Sequence, residues 1–314
     1  MDLIGQNIVI QYLSEGLKAN RLSPSLLFVG AKGTGKKNAA LLLAACYSCL
    51  KRDEISIQKK TLPYCGECVG CQKVLSNSHP DLLLVNMNYQ AFVLKEKPET
   101  QTAIKIDSIR ESDRFAYFKP IESKRRCVII EDAHKMTTEA ANALLKILEE
   151  PPNNAQFILL AADEHSLPST VLSRCAILRF KPLSIELLSK HLAEKLKIPF
   201  EKAQEIAELS TGSLEKAQEI YLKGEEEFQD LNEFSLEELF EMLSEPKWKK
   251  DARKRSQETL THLIEQSRKN LYKGDLTQVS KMKKILKTSY QISRNVSPKL
   301  ALENLFIQLK KEKL

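Results

Sequence analysis

Gly30-Ala31-Lys32-Gly33-Thr34-Gly35-Lys36-Lys37 lies between an apolar run, Leu26-Leu27-Phe28-Val29, and a run of helix formers, Asn38-Ala39-Ala40-Leu41-Leu42-Leu43. Strand, glycine turn and helix, in that order, form the setting in which backbone N–H groups cradle phosphate at a helix N-terminus. The spacing G-x-x-x-x-G-K is complete. Gly30, Gly33 and Gly35 would let the backbone approach the phosphates, and Lys36 would reach their charge. The position after Lys36 departs from the motif. A hydroxyl belongs there to hold magnesium, and Lys37 stands in its place. A second ammonium beside a magnesium site is repulsive, on the order of 4 kcal/mol at ~4 Å and an effective dielectric of ~20. Lys37 can swing aside, but it supplies no metal-ligating oxygen. The sequence therefore poses a choice between a working nucleotide site and the shell of one.

The surrounding pattern predicts the fold class. Apolar strands are expected at 26–29, 81–85, 127–130, 157–162 and 176–180, with helices at 7–17, from the glycine loop to about Cys49, from Ile106, and at 138–149. Pro151-Pro152 ends the last of these. Strands apolar on both faces, alternating with helices, argue for an α/β fold with a parallel sheet covered by helices. Residues 50–80 are polar, carry cysteines, Pro63 and Gly66, and are expected to form an irregular insertion. After Pro182 the pattern is helical only: 184–196, 200–210, 213–223, then 235–243, 249–271, 275–292 and 298–312. Soft boundaries fall near 180 and 225.

At 314 residues the chain can hold two or three domains. One Trp among few aromatics argues against base-stacking platforms for single-stranded nucleic acid. The net charge of +7 is concentrated late, in Lys247, Lys249, Lys250, Arg253, Lys254, Arg255, Lys281, Lys283, Lys284 and Lys287. That excess suits a polyanion neighbour and a set of solvated helix faces equally. No apolar run approaches ~20 residues, so no membrane span is expected. The N-terminal pattern lacks the basic and apolar regions of a signal peptide, so a cytoplasmic location is the default expectation. There the seven cysteines are expected to be reduced.

Three further groups carry chemistry. Ile129-Ile130-Glu131-Asp132 is an apolar strand ending in two carboxylates, the pair a P-loop ATPase uses to hold magnesium and polarise water. The usual order is Asp then Glu, and here it is reversed. His134 reads as a half-exposed loop residue. Cys65-Gly66-Glu67-Cys68-Val69-Gly70-Cys71 interlocks two C-x-x-C units, and Cys49 upstream completes a closed Cys₄ zinc site of structural type. Cys46, one helical turn earlier, is an alternative fourth ligand, and His79 a weaker one. Cys127 and Cys175 read as core residues. Finally, Ser173-Arg174-Cys175 places an arginine between a loop and a strand. It is either a surface arginine or a bidentate phosphate ligand.

Taken together these residues resemble the clamp-loader branch of the AAA+ ATPases, as found in bacterial DNA polymerase III. The carriers are Ile4-Gly5-Gln6, Gly30 to Lys36, the cysteine cluster, Ser78-His79-Pro80-Asp81, Val128 to Met136, Asn142 to Pro152, Leu167-Pro168, Ser173-Arg174-Cys175 and Asn295 to Glu303. The resemblance is strong over 1–180 and thinner beyond. It implies a RecA-like AAA+ domain at 1–180 with a zinc module at about 46–75, a three-helix lid at 181–225 and a helical collar at 226–314 that serves oligomerisation. It also implies a ring with gamma or tau and delta subunits, which opens the sliding clamp and places it on primed DNA within the DNA polymerase III holoenzyme. Arg174 matches the family's arginine finger, which acts in trans on ATP held by a neighbouring subunit.

The departures from the gamma subunit all concern phosphate and magnesium. Lys37 replaces Thr or Ser, and Glu131-Asp132 replaces Asp-Glu. Ala161 and Ala162 stand where gamma carries threonines, and Glu215 stands where gamma carries the lid arginine. The expectation is a subunit that uses structural zinc, makes no use of ATP and magnesium itself, and donates Arg174. The alternative is a gamma- or tau-like subunit that binds and hydrolyses ATP. A zinc-bearing DNA-binding module of another pathway is a third reading, motivated by the basic C-terminal helices.

Overall fold

The computed structural model describes residues 3–52, 55, 62–223, 243–244, 252–272, 277–293 and 296–310. Strands β1 (Ser25–Val29), β2 (Leu82–Val85), β3 (Arg126–Ile130), β4 (Ala155–Ala161) and β5 (Ala176–Arg179) form one sheet in the order β2-β3-β4-β1-β5. Every pairing is parallel. Successive side chains of a strand point to opposite faces. Leu26 and Phe28 therefore enter one core, with Ile129, Ile158 and Leu160. Leu27 and Val29 enter the other, with Val128, Ile130 and Leu159. Both cores need apolar residues, so the strand centres are apolar on both faces.

Helices α1 (Asn7–Lys18), α2 (Lys36–Ser48) and α3 (Val69–Leu75) contribute to the first core, through Leu13, Leu43 and Val74 among others. The second core takes residues from α4 (Met87–Leu94), α5 (Ile106–Tyr117), α6 (Thr138–Glu149) and the single turn α7 (Ser169–Leu172). Helices α8 (Ile185–Leu196), α9 (Phe200–Ser210) and α10 (Leu214–Lys223) follow β5. This is a RecA-like AAA+-type domain followed by lid helices. The described residues divide into two compact units, one up to Ile220 and one from Tyr221. In the second unit α11 (Ala252–Tyr272), α12 (Gln278–Ser293) and α13 (Pro298–Lys310) pack Leu260, Leu263, Ile285, Ile292, Leu302 and Phe306 together. The helix expected at 235–243 lies outside the described residues except for Leu243, as do the expected helical positions 249–251, 275–276 and 311–312 and the boundary at 225. Among the described residues no helix is long and apolar enough to cross a membrane.

The structure departs from the sequence pattern in three places. The insertion at 50–80 contains a helix, α3. Its formation depends on packing, since a Cβ on Gly70 would lie 2.1 Å from the Ser48 carbonyl oxygen. The sequence gives no strong sign of α4, which is capped by Asn86, whose side chain accepts the Tyr89 N–H at 2.9 Å. Strand β4 starts at Ala155 rather than Phe157. Gln156 interrupts the apolar run, yet it is fully buried. Its amide donates to the carbonyls of Ser23 (2.9 Å) and Pro24 (3.0 Å) and accepts from the Tyr47 hydroxyl (3.0 Å).

Asp81, just before β2, anchors the loop that leads into β3. Its buried carboxylate accepts the N–H groups of Ile121 (2.9 Å), Glu122 (2.8 Å) and Ser123 (2.9 Å), and the Arg126 guanidinium lies 3.6 Å away. Burial pushes this carboxyl up, but the backbone donors outweigh it and hold it below its ordinary value. A depressed folded pKa adds stability above the unfolded value of about 3.9, and that stability fades as pH falls through the folded one. Asp81→Asn should therefore cost about 1.5–3 kcal/mol at pH 7. In urea unfolding, the gap between variant and parent should narrow as pH drops below ~4. A gap that stays constant into acid would contradict this role.

Candidate nucleotide, metal and arginine sites

The loop between β1 and α2 leaves the sheet at the carboxyl end of β1, where its neighbour β4 also ends. Ligands of open α/β sheets bind in this position. Gly33 has φ +78°, a left-handed conformation that side chains rarely adopt. A Cβ there would also lie 1.8 Å from Ser213 Oγ, so the start of α10 rests directly on the loop. The Leu214 N–H donates to the Gly33 carbonyl at 3.2 Å, and Glu215 follows in the first turn of α10. Gln6 secures the opposite side, donating to the carbonyls of Thr34 (3.2 Å) and Lys181 (2.7 Å). The Lys36 ammonium turns back onto its own loop, donating to the carbonyls of Gly30 (2.5 Å) and Ala31 (2.7 Å). Burial lowers its pKa, against the opposing pull of Asp132 and Glu215.

Lys37 is the second residue of α2, one position beyond Lys36. Its ammonium lies 2.7 Å from Glu131 Oε1, at the carboxyl end of β3. The other oxygen of Glu131 accepts from the Asn86 amide at 3.4 Å. Asp132 takes a left-handed conformation (φ +49°) and pairs with Lys135 at 2.8 Å. The structure thus brings Gly30, Gly33, Gly35, Lys36, Lys37, Glu131 and Asp132 to one end of the sheet. Within that group both carboxylates are engaged by lysines, and Lys37 occupies the helix position where a metal-holding hydroxyl would stand. Ala161, buried at the end of β4, and the exposed Ala162 add no side-chain donor or acceptor. His134 is half-buried in the turn 133–135. Asn86 is the member of this group that sequence reasoning missed. Its position after an apolar run and before a helix signals a cap, but nothing local signals Glu131.

The four thiols of Cys49, Cys65, Cys68 and Cys71 have Sγ atoms all within 4.8 Å of one another. Cys49 and Cys65 are 3.7 Å apart, and Cys65 and Cys71 are 3.9 Å apart. A tetrahedron with metal–sulfur bonds of about 2.3 Å has edges of about 3.8 Å, so these residues fit a thiolate-bound ion. The loop already favours thiolate at Cys65. N–H groups of Cys68 and Glu67 draw that thiol down to about 6, while burial pushes Cys49 and Cys71 up. Cys46 is fully buried in the first core and lies outside the group. So does His79, whose Nδ1 accepts the Asp81 N–H at 3.0 Å. Cys127 is buried in the first core, and Cys175 is partly buried against the second.

Arg174 belongs to a separate group of side chains. It follows α7 and precedes β5. One amino group donates to the Thr170 carbonyl (3.0 Å) and to Ser173 Oγ (3.2 Å). The other pairs with Glu149 Oε1 at 2.5 Å. The guanidinium remains one-third exposed.

Residues 5–184 match the family described as DNA polymerase III, delta subunit. The chain is 32% identical over 218 residues to the DNA polymerase III subunit tau/gamma of Haemophilus influenzae, covering 68% of this chain and 29% of that protein. It is 34% identical over 187 residues to the DNA polymerase III subunit delta' of Bacillus subtilis, covering 60% of this chain and 51% of that one. It thus spans between about a third and a half of the relatives it matches. The fold is similar to that of a gamma subunit-related protein from Thermotoga maritima, at a TM-score of 0.50 and 20% identity, over 96% of this chain and all of that one. The chain belongs to the DNA polymerase III delta-subunit family, in the bacterial clamp-loader clade whose members are named tau, gamma and delta'.

Proposed function

We propose that this chain is a delta-prime-type clamp-loader subunit that does not hydrolyse ATP. In this reading it joins gamma or tau and delta subunits in the cytoplasm, helps place the sliding clamp on primed DNA during chromosomal replication, and offers Arg174 to ATP held by a neighbour. Residues 1–180 serve as the AAA+ domain, 181–225 as the lid and 226–314 as the collar. The observation that carries the proposal is the Lys37–Glu131 ion pair at 2.7 Å. In a P-loop ATPase this space holds magnesium, bridged between the hydroxyl after the P-loop lysine and the strand-end carboxylate. Here a tethered ammonium takes the carboxylate and brings no oxygen. Glu215 beside the loop adds negative charge where phosphate would need positive charge.

Arg174 is placed differently from these residues. A planar fork of N–H donors suits phosphoryl oxygens, and its partial exposure leaves it within reach of another chain. It stabilises charge developing on a transferred phosphoryl group without requiring magnesium in its own chain.

A gamma- or tau-like ATPase is the second reading. Two observations favour it. The glycine loop and Lys36 are intact, and tau- and gamma-named relatives match over about two thirds of this chain. Purified alone, the chain is expected to show no magnesium-dependent ATP turnover above that of its Lys36→Ala variant. Turnover that Lys36→Ala abolishes would establish the second reading instead. In a reconstituted loader, Arg174→Ala should lower turnover at the adjoining site by on the order of 10³-fold, the lower end for arginine fingers.

We further propose that Cys49, Cys65, Cys68 and Cys71 hold zinc in a structural role. Four protein thiolates leave no open coordination position, so the ion would tie the loop 62–71 to the end of α2 and do no chemistry. Metal analysis should find about one zinc per chain, lost in Cys65→Ser. Chelation should open the loop 62–71 to protease before the sheet unfolds. Simultaneous loss of sheet and module would contradict a local role.

A further inference from the structure

Arg174 is held at two points, and one of them comes from a different element. Thr170 and Ser173, on its own turn, take a single amino group of the guanidinium. Both of those acceptors sit on one turn, so these bonds tie the fork only to its own segment. The second anchor, Glu149 Oε1, engages the other amino group and ties the fork to a different element. Glu149 is the last residue of α6, whose Leu144, Ile147 and Leu148 are buried in the second core. Pro151-Pro152 follows and stops the helix, so the carboxylate projects from a rigid end.

The pair contributes little to stability. Glu149 is half exposed and Arg174 one-third exposed, and ion pairs in such settings are weak. Its consequence is geometric. A guanidinium has N–H donors on more than one edge, so an acceptor on one edge leaves others for an anion. Arginine keeps its charge beside a carboxylate, so Glu149 orients the fork without neutralising it.

We propose that Glu149 is the positioning residue of Arg174, tying its guanidinium to the end of α6 in the orientation from which it meets a phosphoryl oxygen presented by another subunit. The inference rests on the reading of Arg174 as a finger. It assigns Glu149 no contact with the nucleotide. Orientation is one of the larger sources of catalytic rate, and small misplacements of a reacting or stabilising group are costly.

The test uses the reconstituted loader with primed DNA and clamp, measuring kcat and KM for ATP in four variants. Glu149→Ala should lower kcat by roughly tenfold with KM unchanged, because orientation matters to the transition state more than to binding. Glu149→Gln, which keeps an acceptor oxygen at the same reach, should recover most of that loss. The double variant Arg174→Ala with Glu149→Ala should be no slower than Arg174→Ala, since Glu149 has nothing left to orient. Glu149→Ala at or above the parent rate, while Arg174→Ala is slow, would overturn this inference alone. So would losses that multiply in the double variant, or a Glu149→Ala loader that fails to assemble while Glu149→Gln assembles at no better rate than Arg174→Ala. Arg174→Ala at the parent rate would overturn the finger reading and this inference together.

Discussion

The parallel pairing of strand β1 sets the plan of the sheet and of the sites at its end. The strand pairs with β4 on one side and β5 on the other, and each of its five residues is buried. Leu26 and Phe28 serve one core while Leu27 and Val29 serve the other, so these four positions call for apolar side chains. Parallel pairing then sends the chain out of β1, β3 and β4 at the same end of the sheet. The glycine loop, the carboxylates of Glu131 and Asp132, and Ala161 meet there because of that topology, and distance along the chain does not matter.

At that end a glycine turn of the phosphate-binding pattern meets the chain's own opposing charges. The glycine turn is intact and α10 rests on it through Ser213 and Leu214. Lys36 donates to its own loop. Lys37 and Glu131 form an ion pair, and Lys135 takes Asp132. The site is therefore electrostatically satisfied by its own side chains. A divalent ion would have to displace an ammonium from Glu131 and would find no hydroxyl beside Lys36. Arg174 and Glu149 show the opposite balance: the pair is partly exposed, and its fork retains donors for an acceptor outside the chain.

Local patterns made much of this legible from the sequence. The strand-glycine-helix succession around Gly30 to Lys36, the apolar strands and the two interlocked C-x-x-C units each declare themselves within a few residues. Ambiguity arose where packing decides. Cys46 and Cys49 lie one turn apart at the end of α2 and both are buried in the first core, and only the approach of Cys49 to the other three thiols separates them. Gln156 concealed the start of β4 because its partners, Ser23, Pro24 and Tyr47, lie far away in the chain. Helix α3 depends on the fit of Gly70 against Ser48, which no propensity reports. The Lys37–Glu131 and Arg174–Glu149 pairs join segments distant in sequence. The unusual residue at 37 was visible, but its partner was not.

If the ammonium of Lys37 stands in place of a nucleotide-bound divalent ion, manganese with ATP should not bind this chain. Electron paramagnetic resonance of manganese–ATP, titrated with the purified chain, measures this. The spectrum should stay that of the free manganese–ATP complex at every protein concentration. A protein-bound manganese–ATP signal that saturates with the chain would contradict it.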